Sequence, residues 1–133
     1  MSDTRYLDWP FFEERHRRLA RELDAWAKDH VPQHHGADVD AQCRSLVRSL
    51  GADGWLKHAV AGMPHRAQDQ IDTRAICLSR ETLARHSGLA DFAFAMQGLG
   101  AGAISLQGTP AQRDRYLSKV GRGEAIPAFA LSE

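Results

Sequence analysis

The sequence predicts an all-α fold: an up-and-down helical bundle-like domain of about five helices, followed by the first strand of a β domain. Two observations support this. Apolar residues recur at three- and four-residue spacing over several long stretches, and helix-capping or helix-ending residues separate these stretches. Only the last residues, 126–133, have the character of a short apolar strand. A chain of 133 residues is the size of one typical domain.

The first helix is predicted for residues 10–30, after a loose lead-in over residues 1–8. Pro10 suits the first helical position, because its missing N–H would have no partner there, and Pro32 ends the helix. The stripe that faces the core consists of Phe12, Leu19, Ala20, Leu23, Trp26 and Ala27.

The second helix is predicted to run from about Val39 to Gly51, since glycine accepts the left-handed conformation that often ends a helix. The polar stretch 62–70 is the one long loop, and long loops often carry function. A third helix is predicted for residues 72–87, with Asp72 as its N-cap and Gly88 as its end.

Residues 89–106 carry almost no charge after Asp91 and predict a central helix. A capping box formed by Thr109 and Gln112 then begins a fifth helix over residues 110–120. The strand that follows has no partner strand upstream, which would leave its backbone donors and acceptors unpaired. We therefore expect the sequence to be the front part of a longer protein, with a helical domain at 1–125 and the start of a middle β domain at 126–133.

Composition limits the possible functions. Seventeen basic and seventeen acidic residues cancel, and the basic run at 15–18 lies among acidic residues, so nucleic acid is not an expected partner. No run approaches about 18 apolar residues, so membrane insertion is not expected. Cys43 and Cys77 lie in apolar helical patterns and are read as buried structural thiols. Together with the absence of a leader, they favour a cytoplasmic protein.

Three motifs suggest chemistry but lack the necessary partners. Glu13 and His16 have the spacing of a di-iron ligand pair, but no second Glu-x-x-His occurs. The histidines at 30, 34 and 35 have no cysteine or acidic residue at regular spacing, so no metal is expected. Residues 98–103 match G-x-G-x-x-A, yet no helix of useful length and no acidic residue follow as a dinucleotide fold requires. Small residues that let helices approach closely are the simpler interpretation.

Several segments, in this order, resemble the acyl-CoA dehydrogenase family, in which a capped helix and a Gly-Glu turn lead into the flavin-binding strand. The resemblance extends over nearly the whole chain from about residue 9. The similar segments are LGADGW at 50–55, SRETLA at 79–84, GTPAQ at 108–112, YL at 116–117, GEAI at 123–126 and FALSE at 129–133.

The resemblance implies an FAD cofactor. The residues that would lie along it are Phe129, Ala130, Leu131, Ser132 and Glu133. The Ser132 hydroxyl and nearby backbone N–H groups would donate to the pyrimidine side of the flavin, where hydride arrival leaves negative charge that such donors stabilise.

The resemblance also implies an acyl pocket between the central helices. The matching positions are Phe92, Ala95, Met96, Leu99 and Gly100, with ordinary core packing as the open alternative. The family's general base belongs beyond residue 133, so no residue here receives that role and the chain alone is expected to be inactive.

This chain departs from the family at two places. The loop at 62–70 keeps only Pro64 where the family often has a proline and paired glycines. Gln97 stands near a position that is often polar, but it does not define the acyl chain length.

The leading hypothesis is thus the helical domain of an FAD-dependent acyl-CoA dehydrogenase-like enzyme. Its expected partners are an acyl-CoA substrate and the missing middle and C-terminal domains of the same enzyme, in a homo-oligomer. The alternative is a non-catalytic helical interaction module derived from that family. In that case residues 89–106 and the unpaired strand would bind a partner chain.

Overall fold

The structure is a computed structural model that describes residues 3–32, 38–63 and 70–132. It is all-α, as predicted. The five helices are α1 (Glu14–His30), α2 (Val39–Ala52), α3 (Thr73–His86), α4 (Gly88–Gln107) and α5 (Pro110–Gly121), and two short 3-10 helices occur at Arg5–Asp8 and Trp55–His58. No strand is present in the described ranges. The strand expected at 126–133 therefore stays a prediction, and Glu133 lies outside the described residues.

Helix α4 is central, because it packs against α2, α3 and α5, while α1 packs against α3. The largest side chains without solvent exposure include Leu23, Leu50, Leu83, Phe94 and Leu117, one from each helix. Gly98 lets α4 approach the turn after α2, since a Cβ there would lie 2.9 Å from the Ala59 carbonyl oxygen. The G-x-G-x-x-A motif thus lies inside a helix, where its small residues serve close packing rather than a dinucleotide loop.

Helix α1 begins four residues later than predicted. Pro10 lies in a turn instead of the first helical turn, and the Phe12 ring packs against the rings of Tyr6 and Phe11. The backbone N–H of Glu13 donates to Nδ1 of His16 at 3.0 Å. This bond fixes the start of the helix at Glu14.

Two glycines that were predicted as helix ends have other roles. Gly51 lies inside α2, where the backbone of Arg122 and Gly123 leaves no room for a Cβ; the left-handed residue is Gly54, with φ 77°. Gly88 does not end α3 but begins α4, which is capped by Ser87. A glycine in a sequence does not reveal whether the backbone conformation or a close contact requires it.

The predicted N-caps of α3 and α5 are confirmed. Asp72 accepts hydrogen bonds from the N–H groups of Arg74 and Ala75. Thr109 and Gln112 form the reciprocal capping box, with Pro110 at the first helical position. These caps satisfy backbone donors that have no partner within the helix.

A buried histidine links the start of α1 to the start of α3. His16 is 1% exposed, and its Nε2 lies 2.9 Å from Oδ2 of Asp72. Because Nδ1 accepts the Glu13 N–H, we assign the proton to Nε2, which donates to the carboxylate. Both ring nitrogens of His16 thus have partners within the protein. No metal-binding group of His, Cys, Asp and Glu occurs among the described residues.

The Asp72 carboxylate is stabilised in its charged form. Partial burial opposes ionisation, but the hydrogen bonds from His16 and the Ala75 N–H, with the charge of Arg15, outweigh it and lower the pKa of Asp72. Arg15 lies 3.1 Å from the same carboxylate. Asp72 therefore joins two helix starts through one side chain.

The cysteines are less buried than predicted. Cys43 is half-buried and Cys77 is exposed, and both are free thiols. Burial raises the pKa of the Cys43 thiol. The prediction is wrong for Cys77, because the apolar pattern of α3 continues onto a face that is exposed in the described part of the chain.

Helix α4 has the length and composition to cross a membrane, with a mean hydropathy of 1.3, and about 33% of that window is buried. The sequence contains no uninterrupted apolar run of this length, but the mean hydropathy over the whole helix is high enough. A core helix of a soluble protein meets the same criterion. Gln97 and Ser105 are buried on the side of α4 that packs against the domain, while the opposite side is apolar.

We predict that Asp72→Ala lowers the free energy of unfolding by about 2–3 kcal/mol, through loss of the cap and of the partner of buried His16. Asp38→Ala is the matched control, since Asp38 caps α2 through a single bond to the Ala41 N–H and should cost about 1 kcal/mol. Urea unfolding measures both.

The contribution of Asp72 should depend on pH in one direction. Because its folded-state pKa is lowered, the stabilisation is present above the ordinary carboxyl pKa and is lost as pH falls through the folded-state value. Equal destabilisation by the two variants at neutral pH would contradict the proposed link between α1 and α3.

Candidate functional site

The predicted acyl-pocket residues form one stripe on the outer side of α4. Phe92 and Leu99 are 56% and 51% exposed, and the residues between and beside them, Ala95, Met96 and Gly100, are half-buried. Their spacing of three and four residues places them on one helix face. We call this set the α4 outer stripe. The core interpretation does not apply to Phe92 and Leu99, whose side chains remain in solvent.

Gln97 lies on the opposite side of α4. It is 1% exposed, and its Nε2 donates to the Ala93 carbonyl at 3.0 Å. Its Oε1 is buried without a hydrogen-bond partner in the described part of the chain. Gln97 therefore belongs to the core side and does not contribute polarity to the outer stripe.

The chain leaves α5 through a tight turn. The N–H groups of Glu124 and Ala125 both donate to the Lys119 carbonyl, at 2.9 and 3.3 Å. Gly123 adopts φ 70°, a left-handed conformation in which glycine is unstrained, and its α-carbon lies against the Val47 carbonyl. The turn thus rests on α2.

Beyond this turn, the segment of residues 124–132, here called the exit segment, crosses α4. A Cβ at Gly100 would lie 2.8 Å from the carbonyl carbon of Pro127. The crossing point is therefore a residue of the outer stripe. The predicted site has two halves, the acyl-pocket residues and the residues after Pro127. The contact between Gly100 and Pro127 joins them.

The predicted cofactor residues extend past that contact into solvent. Phe129 and Leu131 are 54% and 77% exposed, and Ala130 and Ser132 are exposed as well. In the described part of the chain, the N–H groups of residues 128–132 form no hydrogen bonds. They and the Ser132 hydroxyl are available as donors to the carbonyl and nitrogen acceptors of a flavin edge. The residues present thus fit an FAD cofactor.

Sequence reasoning missed the glycines that hold the exit segment. Gly51 and Gly100 are needed for contacts with backbone that follows in the chain, and Gly123 for its conformation. Periodicity gives no sign of such contacts, because they join residues far apart in sequence. Homologous sequences could reveal them, since a glycine required by close contact cannot vary.

The geometry defines a class of protein: an all-α domain whose central helix presents an apolar stripe beside a segment of free backbone donors. The sequence matches the family described as acyl-CoA dehydrogenase, N-terminal domain, over residues 13–124. The chain belongs to this family, which confirms the resemblance seen in its motifs. A comparison with curated proteins gives no match. Because the family match ends at residue 124, the cofactor role of residues 129–132 stays a prediction.

We predict opposite effects for two alanine substitutions in α4. Gly100→Ala forces the Cβ against Pro127, which should lower the free energy of unfolding by about 1–2 kcal/mol despite the gain in helix propensity. Gly102→Ala is the control, since its Cβ meets nothing within 4 Å; it should raise stability by up to about 1 kcal/mol. Chemical denaturation measures both, and a stabilising Gly100→Ala would show that the exit segment does not rest on α4.

Proposed function

We propose that the chain is the helical domain of an FAD-dependent acyl-CoA dehydrogenase-like oxidoreductase, and that it supplies one wall of the acyl pocket and the first contacts to the flavin. The observation that carries this proposal is the crossing of the exit segment over Gly100. It brings an apolar stripe and a row of free backbone donors together. Membership of the acyl-CoA dehydrogenase N-terminal domain family supports the same function.

The outer stripe has the chemistry that an acyl tail needs. Phe92, Met96 and Leu99 offer apolar surface without a charged neighbour on the same stripe. Burial of an acyl chain contributes about 0.8 kcal/mol for each methylene group removed from water. One helix provides only one wall, so the pocket is completed by parts of the enzyme outside these residues.

The exit segment has the chemistry that a flavin needs. Bound FAD would supply a hydride acceptor for the β-carbon of the acyl thioester. The Ser132 hydroxyl and the N–H groups of the exit segment would donate hydrogen bonds to the pyrimidine side of the ring. Donors that are fixed before the reaction stabilise the negative charge that develops there.

The base that removes the α-proton is not among the residues assigned here. We place it, with the rest of the flavin site, in the middle and C-terminal domains of the same enzyme. A homo-oligomeric assembly and a cytoplasmic location are part of this proposal.

The exposed apolar stripe also favours a second function, a non-catalytic interaction module. In that case the outer stripe would bind a partner chain, and no flavin would be present. Purification of the protein that contains this chain distinguishes the two. Stoichiometric flavin absorbance supports the dehydrogenase, and a flavin-free complex with another protein supports the module.

We predict that Ser132→Ala weakens FAD binding about tenfold in the enzyme that contains this chain, as expected for loss of one hydrogen bond to a group that becomes charged. Flavin fluorescence released on dilution measures the affinity. Ser45→Ala removes an exposed hydroxyl from α2 and should change nothing. Unaltered flavin affinity together with an unaltered rate of flavin reduction in Ser132→Ala would exclude the role of this hydroxyl.

We predict that Leu99→Gln weakens binding of a long-chain acyl-CoA about tenfold, since an apolar contact of about 1.5 kcal/mol is lost. Flavin content should remain at the wild-type level. Val39→Gln, which alters a similarly exposed side chain on α2, is the control. If both variants bind the acyl-CoA as tightly as the wild type, the outer stripe does not contact the substrate.

A further inference from the structure

A second concave site lies between the 3-10 helix Arg5–Asp8, α1 and α3, among residues that the proposed function does not use. This cleft has a volume of about 700 Å³, within the range of small-molecule sites. Its floor includes Ala20 of α1, and its rim includes Tyr6 and Leu7. We call it the α1–α3 cleft.

The charge of the α1–α3 cleft differs from that of the protein. The chain as a whole has no net charge. The cleft is lined by two carboxylates, Asp8 and Asp24, and by His86. Five permanent cations line it as well, namely Arg5, Arg17, Arg21, Lys28 and Arg85.

The two outer arginines have carboxylate partners beyond the cleft. Arg5 lies 2.7 Å from Asp3, and Arg21 lies 2.9 Å from Glu14. Both side chains are mostly exposed, so their charges are screened by water and salt. They add to the positive potential of the rim but do not define the interior.

One half-buried carboxylate of the lining, Asp24, contacts three basic groups, of which Lys28 is mostly exposed. Oδ2 of Asp24 lies 2.7 Å from Lys28, and Oδ1 lies 2.9 Å from Nε2 of His86 and 3.8 Å from Arg85. The hydrogen bonds from Lys28 and His86 lower the pKa of Asp24. Asp24 therefore has donors on both oxygens, and the five cations of the lining outnumber its two carboxylates, although the rim residue Tyr6 also donates to Glu81 at 2.8 Å.

The guanidinium groups of Arg17 and Arg85 have N–H groups that form no short hydrogen bond in the described part of the chain. The side chain of Arg85 is 23% exposed, although the residue as a whole is exposed, and its contacts are long, at 3.8 Å to Asp24 and 3.4 Å to the Thr82 hydroxyl. Arg17 is held by a 2.9 Å bond from Nε to the Leu7 carbonyl, while Nη1 lies 3.8 Å from Glu14. Partly buried, positioned guanidiniums with free N–H groups are the groups that bind phosphate best in proteins.

We propose that the α1–α3 cleft binds a small anionic ligand that carries phosphate groups, held by Arg17 and Arg85 with Lys28 and His86. The site is separate from the outer stripe and does not depend on the proposed dehydrogenase function. The Asp24 carboxylate would compete with such a ligand, since it contacts three of the same basic groups.

The test is a calorimetric titration with inorganic pyrophosphate at constant ionic strength. The wild type should bind, with amide chemical-shift changes in α1 and α3 and none in α5. Arg85→Gln should bind about tenfold more weakly, through loss of a charge-assisted contact. Arg115→Gln is the control, because Arg115 packs over the Tyr116 ring on α5; it removes the same charge and should bind like the wild type.

A second variant tests the same site in the opposite direction. Asp24→Asn removes the competing carboxylate and should tighten pyrophosphate binding about tenfold. Absence of binding by the wild type at millimolar pyrophosphate would overturn the proposal, as would equal weakening by Arg115→Gln or weaker binding by Asp24→Asn. If Asp24→Asn does not fold, Arg85→Gln with its control still decides.

Discussion

The structure depends on the close approach of the chain after α5 to two helices that precede it. At Gly51 the backbone of Arg122 and Gly123 occupies the space of a side chain, and at Gly100 the backbone of Pro127 does the same. Gly51 belongs to α2 and Gly100 to α4. Residues 122–127 can therefore make both contacts only when these two helices are packed together. The helical core thus sets the path of the chain as far as Pro127, from which the proposed flavin donors extend into solvent.

The two sides of α4 differ in their surroundings. Its inner side contributes Phe94, Gln97 and Ala101 to the core, and Gly98 admits the Ala59 carbonyl. Its outer side stays apolar although it faces solvent. A helix that is apolar on both sides has little amphipathic pattern, and burial of one side alone leaves a surface whose area favours a ligand or a neighbouring domain.

The lack of an amphipathic pattern in α4 limits what could be predicted from the sequence. Helix order and the caps at Asp72 and Thr109 followed from local chemistry, because a cap bonds to backbone within three residues. The start of α1 did not, since packing of the aromatic residues and the buried His16 outweighed the local preference of Pro10. The exposed side of α4 could not be read from hydropathy, so the site residues came from the family motifs. Only the structure placed Phe92 and Leu99 in solvent, on the helix face that also carries Gly100, where the exit segment makes contact.

Helix α3 connects the two surfaces of the domain, because it packs against α1 on one side and α4 on the other. Arg85 and His86 lie in its last turn, where the negative end of the helix dipole favours cations. Ser87 then caps α4 directly, and Arg80 bonds to Asp91 at 2.8 Å across the corner. The outer stripe begins at the next residue, Phe92. A ligand in the α1–α3 cleft would therefore contact the helix end that leads directly into the proposed acyl wall. The Ser87 cap and the Arg80–Asp91 ion pair both lie at this corner, between the cleft and the proposed acyl wall.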